Sequence, residues 1–122
     1  MKLTPRLKKS IENYKNNIIL VEGKKDKIAL ESAGFNKVFQ IHKNSKSIRE
    51  SLEDISKNIT KDDKVSILTD LDKKGNEFNN QIIPILQELG IKIDLSFRKL
   101  LIKANISHIE GISNFLDKVE DI

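Results

Sequence analysis

Ile67-Leu68-Thr69-Asp70-Leu71-Asp72-Lys73-Lys74-Gly75 decides the reading of this chain. A short apolar run, beginning at Lys64-Val65, stops at two acids separated by one leucine. In extended backbone, residues two apart point the same way, so Asp70 and Asp72 face one point while Leu71 turns back toward the core. An earlier stretch matches it: Ile18-Ile19-Leu20-Val21-Glu22-Gly23-Lys24-Lys25-Asp26. There too a β-branched apolar run, of the kind buried on both faces of a parallel sheet, ends at an acid.

Working outward, helices and strands alternate. Residues 24–33 are predicted to be a helix with Ile28, Ala29 and Leu30 inward and Gly34 as its closing residue. Strands are expected at 37–41, 64–69 and 91–94, and a fifth at 106–109. Helices are expected at 46–58 (Ile48, Leu52 and Ile55 on one face), 76–89, 96–103 and 113–119. Residues 70–75 read as a polar turn, and Pro84 should distort or kink the helix that holds it. Thr4-Pro5 looks like a cap and first helical position, opening a helix with Leu7, Ile11 and Tyr14 on one side. The pattern is that of a Rossmann-like, three-layer α/β/α fold, with a mainly parallel sheet of four to five strands. Residues 1–16 are expected to form a helix packed on a single domain spanning 17–122.

Composition narrows the chemistry. The chain has 122 residues, 22 Lys+Arg against 18 Asp+Glu, a net charge of +4 and no cysteine. Disulfides, Cys-ligated zinc and a Cys nucleophile are excluded, and His42 and His108 alone cannot build a multi-histidine metal cage. A catalytic metal must therefore sit on oxygen ligands. No apolar stretch is long enough to span a membrane and no signal peptide is evident, so a soluble cytoplasmic protein is expected. The mild basic excess fits a nucleic-acid partner or simply a Lys-rich solvated surface.

In open parallel sheets, sites form beyond the carboxyl ends of the strands. Glu22 follows the first strand, and Asp70 and Asp72 follow the third, a pair that taken alone also reads as an Asx turn or a helix N-cap. If these strands are neighbours, about 4.8 Å apart, Glu22 joins the two aspartates. Three carboxylates so close repel unless a cation neutralises them. Oxygen ligands with open positions suit Mg²⁺ or Mn²⁺, which would stabilise charge developing in phosphoryl transfer. Gly23 and Gly75 allow the backbone to approach a substrate where a Cβ would obstruct it.

Taken together, these two stretches resemble the Toprim domain, the catalytic module of topoisomerases, bacterial-type primases and ribonuclease M5. The likeness covers about residues 17–110 and is nearest to the small stand-alone Toprim proteins. It implies that Glu22 acts as general acid or base, that Asp70 and Asp72 coordinate Mg²⁺, and that Gly23, Gly75 and Asp26 are the family's turn glycines and flanking acid. Two departures stand out. Lys74 occupies the place of a third acid found in some members. Tyr14, the only tyrosine, has the register of a packed side chain, so topoisomerase activity is not expected of this chain.

Lys24, Lys25 and Lys73 are candidates for holding a substrate phosphate. Lys74 could do the same, or merely offset the neighbouring acids. Arg98, Lys99 and Lys103 read as a solvated helix face. His42 stands at the correct sheet edge to touch a substrate, whereas His108, near Glu110, reads as a structural histidine, with a metal or acid–base role as the alternative. Two functions compete. One is an Mg²⁺-dependent nuclease of the ribonuclease M5 type, acting on RNA or DNA. The other is a non-catalytic nucleic-acid-binding module or assembly subunit, with a protein partner or homo-oligomer. A receiver domain would need its acidic pair after the first strand, and the order here does not fit.

Overall fold

A computed structural model describes residues 5–42, 45–106, 108, 109, 111, 112 and 116. Eight elements follow one another: α1 (Pro5–Glu12), β1 (Ile18–Val21), α2 (Lys24–Ser32), β2 (Lys37–Gln40), α3 (Ile48–Ser56), β3 (Val65–Leu68), α4 (Lys73–Glu88) and α5 (Ser96–Lys103). The three strands form one parallel sheet in the order β2-β1-β3. Ile18 pairs with Lys37 on one side and Val65 on the other, and Val21 with Gln40 and Leu68.

Strand alternation divides the core in two. Ile19, Val21, Val38 and Leu68 share one cluster with Leu7 and Ile11 of α1, Leu30 of α2, and Phe97 and Leu101 of α5. Ile18, Leu20, Val65 and Ile67 share the other with Leu52 and Ile55 of α3 and Ile82 and Leu86 of α4. The sheet is thus the middle of three layers, and β1 and β3 are buried along their whole length. The chain steps from β1 to β2 past helix α2, then back across β1 to β3 past α3 on the opposite face. Right-handed crossovers in opposite directions require opposite faces. The direction reverses between β1 and β3, so their carboxyl ends flank the crevice in which open α/β sheets bind ligands.

Local chemistry sets the helix starts. Ser47 Oγ accepts the Glu50 amide at 3.1 Å and Glu50 Oε1 accepts the Ser47 amide at 3.3 Å, a complete capping box for α3. Asp72 caps α4 by accepting the Gly75 amide at 2.8 Å. Gly34 and Gly90, just past α2 and α4, take positive φ angles of 97° and 75° that L side chains resist.

Several expectations are corrected. The fourth strand is a single parallel bridge between Val65 and Ile93, so the described sheet has three strands rather than four or five. Asp94 ends the pairing: its carboxylate turns to accept the Ser96 amide at 2.9 Å and hydroxyl at 2.6 Å and opens α5 instead. Of the expected fifth strand, Ile106, His108 and Ile109 are described and none is a strand residue. Thr4, Glu110 and most of the expected helix at 113–119 lie outside the described residues. Helix α4 starts at Lys73 rather than Asn76, because Asp72 supplies the cap, and runs on through Pro84 without ending. Its core contacts at Ile82 and Leu86, either side of the proline, offset the missing hydrogen bond. Ile28, expected inside, is 52% exposed.

Candidate metal centre

Asp70 leaves the end of β3 two residues beyond Leu68, and Asp72 follows it into the first turn of α4. One ligand atom from each of Asp70, Asp72 and His108 lies within 4.8 Å of the others. Asp70 is half-buried; Asp72 and His108 are exposed. His108 Nδ1 stands 3.5 Å from Asp70 Oδ2, while Asp70 Oδ1 accepts the Ile109 amide at 3.3 Å. Asp72 uses Oδ1 to cap α4, which leaves its second oxygen outside the cap.

The loop carrying these acids is held from beneath by Arg98 of α5. This guanidinium, 4% exposed, donates to the Thr69 carbonyl at 2.7 Å, the Thr69 hydroxyl at 3.0 Å, the Asp70 carbonyl at 3.1 Å and Asn76 Oδ1 at 2.6 Å. The planar fork of arginine suits such a spread of acceptors, and a lysine ammonium does not. Burial pushes the Arg98 guanidinium below its ordinary value, and the negative charges of Asp70 and Asp72 draw it back up. Thr69 Oγ1 in turn donates to the Gly75 carbonyl at 2.7 Å, closing the loop on itself.

Gly75 is the tightest point. A Cβ at this position would stand 1.7 Å from the Asp70 carbonyl oxygen. The glycine therefore serves the close approach of two backbone segments. Gly23 differs: its φ is −136°, and an added Cβ would meet nothing within 4 Å.

Glu22 extends β1 at the adjacent edge, where its carbonyl accepts the His42 amide at 3.0 Å. Its half-buried side chain is not one of the three that group within 4.8 Å. Lys24 and Lys25 open α2, Lys73 and Lys74 open α4, and all four are exposed. His42 lies against the Phe78 ring, centroids 4.9 Å apart. Lys99 and Lys103 are solvated as expected, but Arg98, read from sequence with them, is buried. His108 likewise reverses its structural reading, since it is exposed and beside Asp70. Arg98 had one signal, its place between the apolar positions Phe97 and Leu101 of a helix. For His108 the sequence offers only its nearness to Glu110, because its place beside Asp70 depends on the chain returning to the end of β3 after α5.

Two carboxylates and an imidazole within one ion's reach fit a divalent cation, the oxygen-dominated donor set suiting Mg²⁺ or Mn²⁺.

The chain is similar to known proteins in sequence and in fold. The Toprim domain matches residues 17–97. A UPF0292 protein of Archaeoglobus fulgidus is 31% identical over 108 residues, covering 86% of this chain and 81% of the relative. One from Pyrococcus abyssi is 34% identical over 104 residues, covering 83% and 75%. A solved structure of a protein from Aquifex aeolicus shares 32% identity with a TM-score of 0.71, covering 87% of this chain and 94% of that one.

Proposed function

The chain belongs to the Toprim family, and from that premise we propose that it carries out Mg²⁺- or Mn²⁺-dependent phosphodiester chemistry on nucleic acid, as a small nuclease of the ribonuclease M5 type. Toprim domains bind divalent metals through acidic residues and act in metal-dependent nucleic-acid processing, which is the coarse frame of this reading. The observation that carries it is the convergence of Asp70 and Asp72 at the end of β3, beside the strand end that bears Glu22.

A second feature supports a polyanionic substrate. Helix N-termini disfavour cations, yet α2 and α4 both open with lysine pairs, Lys24-Lys25 and Lys73-Lys74. Local rules broken in this way tend to mark functional sites. A phosphate backbone lying across the carboxyl edge of the sheet would restore the balance of charge.

In this reading Asp70 and Asp72 hold the cation, whose positive charge stabilises the phosphoryl group as it reacts. Glu22, on the neighbouring strand end, is the general acid or base that takes or returns the proton of the attacking or leaving oxygen. Lys24, Lys25 and Lys73 bind phosphate oxygens, and the open space above Gly23 lets the strand approach the backbone of β1's end.

The test is cleavage of structured RNA and of DNA by purified protein with Mg²⁺ or Mn²⁺. Glu22→Gln and Asp70→Asn are each expected to lower the rate by about 10²-fold or more. Cleavage that survives both substitutions belongs to a contaminant and overturns the reading. Salt-dependent binding without turnover would instead favour a non-catalytic module, the alternative that Lys74 in place of a third acid supports.

A further inference from the structure

We propose that His108 is a third protein ligand at the Asp70–Asp72 site and biases it toward first-row transition ions such as Mn²⁺ over Mg²⁺. This rests on the reading of the two aspartates as metal-holding.

The separations are those of donors around one ion. With bonds of about 2.1 Å, adjacent donors of a six-coordinate ion stand about 3.0 Å apart and opposite donors about 4.2 Å. His108 Nδ1 and Asp70 Oδ2 are 3.5 Å apart, and all three ligand atoms lie within 4.8 Å. Small rotations of the exposed Asp72 and His108 side chains bring them onto one ion with the half-buried Asp70. The 3.5 Å gap is longer than a settled hydrogen bond, so the imidazole is beside the carboxylate without being tied to it. The Asp70 carboxylate is itself oriented by the Ile109 amide, next to His108 in the chain. The segment that delivers the imidazole thus also fixes its neighbouring ligand.

Ligand type then bears on ion choice. Mg²⁺ prefers oxygen and keeps its waters, whereas imidazole nitrogen is a good donor to transition ions. Mn²⁺ stands lowest in the affinity order of those ions, so a preference for it over Mg²⁺ is the most stringent case.

The competing account is an imidazolium–carboxylate ion pair that merely occupies Asp70. The two accounts differ in sign. A ligand, once removed, weakens metal binding; a competing cation, once removed, leaves it unchanged or strengthens it.

The experiment uses untagged full-length protein with Mn²⁺ as the probe, since His42 and His108 are the only histidines of the chain. Pulsed electron paramagnetic resonance on the bound ion is expected to show ¹⁴N modulation that persists in His42→Gln and vanishes in His108→Ala. His108→Ala should weaken Mn²⁺ binding by roughly tenfold or more and Mg²⁺ binding by less than about threefold. Mn²⁺ held in an Asp70-dependent way without nitrogen modulation, or held as tightly by His108→Ala, overturns the proposal but leaves the aspartate site intact. Mn²⁺ binding that ignores Asp70→Asn overturns both.

Discussion

Arg98 grips Asp70 by its main chain, not its carboxylate: the guanidinium donates to the Asp70 carbonyl at 3.1 Å and leaves the acid group to the Ile109 amide and His108. An electropositive support beneath the loop thereby coexists with an acid available to a cation above it. Because the same fork also satisfies Thr69 and Asn76, its loss strands several acceptors at once. Arg98→Met is expected to lower stability by about 2–4 kcal/mol. Arg98→Lys should recover only part of this, since one ammonium cannot reach acceptors spread across the loop. Urea denaturation of the three proteins decides the matter, and equal midpoints would show that the loop holds itself.

The two glycines next to the acids should respond in opposite ways. Gly75→Ala drives a Cβ into the Asp70 carbonyl and is expected to cost about 2 kcal/mol or more as backbone moves apart. Gly23→Ala places its methyl in open space at an ordinary φ, so its effect on folding should stay within about 0.5 kcal/mol. Thermal unfolding compares them directly, and a Gly75→Ala protein as stable as wild type would refute the packing role.

Asp72 serves two purposes that substitution can separate. Asn keeps an oxygen for the Gly75 amide but loses the charge; Ala loses both. Asp72→Ala is expected to cost about 1 kcal/mol through the cap, and Asp72→Asn less than half of that. Both should impair metal binding equally. Titration with Mn²⁺ alongside chemical denaturation separates cap from ligand; if Asn preserves metal affinity, the charge at this position is not needed.

Asp94 links the start of α5 to acidity. The Ser96 hydroxyl above all holds its carboxyl below the ordinary value of 3.8, with the Ser96 amide and the charge of Lys64 adding to it against the opposing effect of burial. A depressed value in the folded state means stability that is complete above 3.8 and lost as pH falls through the lower folded value. The Tm gap between wild type and Asp94→Ala should therefore hold steady above 3.8 and narrow as pH falls below it. A gap that stays constant over this range would assign the contribution to uncharged hydrogen bonding.

The parts of this molecule that were legible in sequence are those governed by local apolar pattern. Ile18–Val21 and Val65–Leu68 are four-residue apolar or small runs buried on both faces, and both are strands where the pattern puts them. Ile48, Leu52 and Ile55 join one cluster at helical spacing. Glu22, Asp70 and Asp72 follow these strands, so their placement at one sheet edge needed only parallel pairing. What escaped depends on tertiary return or on a contest between partners. Ile91 to Asp94 has strand composition, but the Asp94 side chain finds Ser96 and ends the ladder after one bridge. Arg98 sits among lysines and looks solvated until the loop that needs its donors is in place. His108 comes to Asp70 from 38 positions away (108 less 70).

The Tyr14 ring lies flat on Phe97, centroids 4.3 Å apart and planes 2° from parallel, and the next residue along is Arg98. The amino-terminal segment is therefore mechanically upstream of the acids: what it presses on is the anchor of their support. A shortened protein beginning at the first strand would keep Glu22, Asp70 and Asp72 yet lose this brace, leaving a rim with correct chemistry on a looser footing.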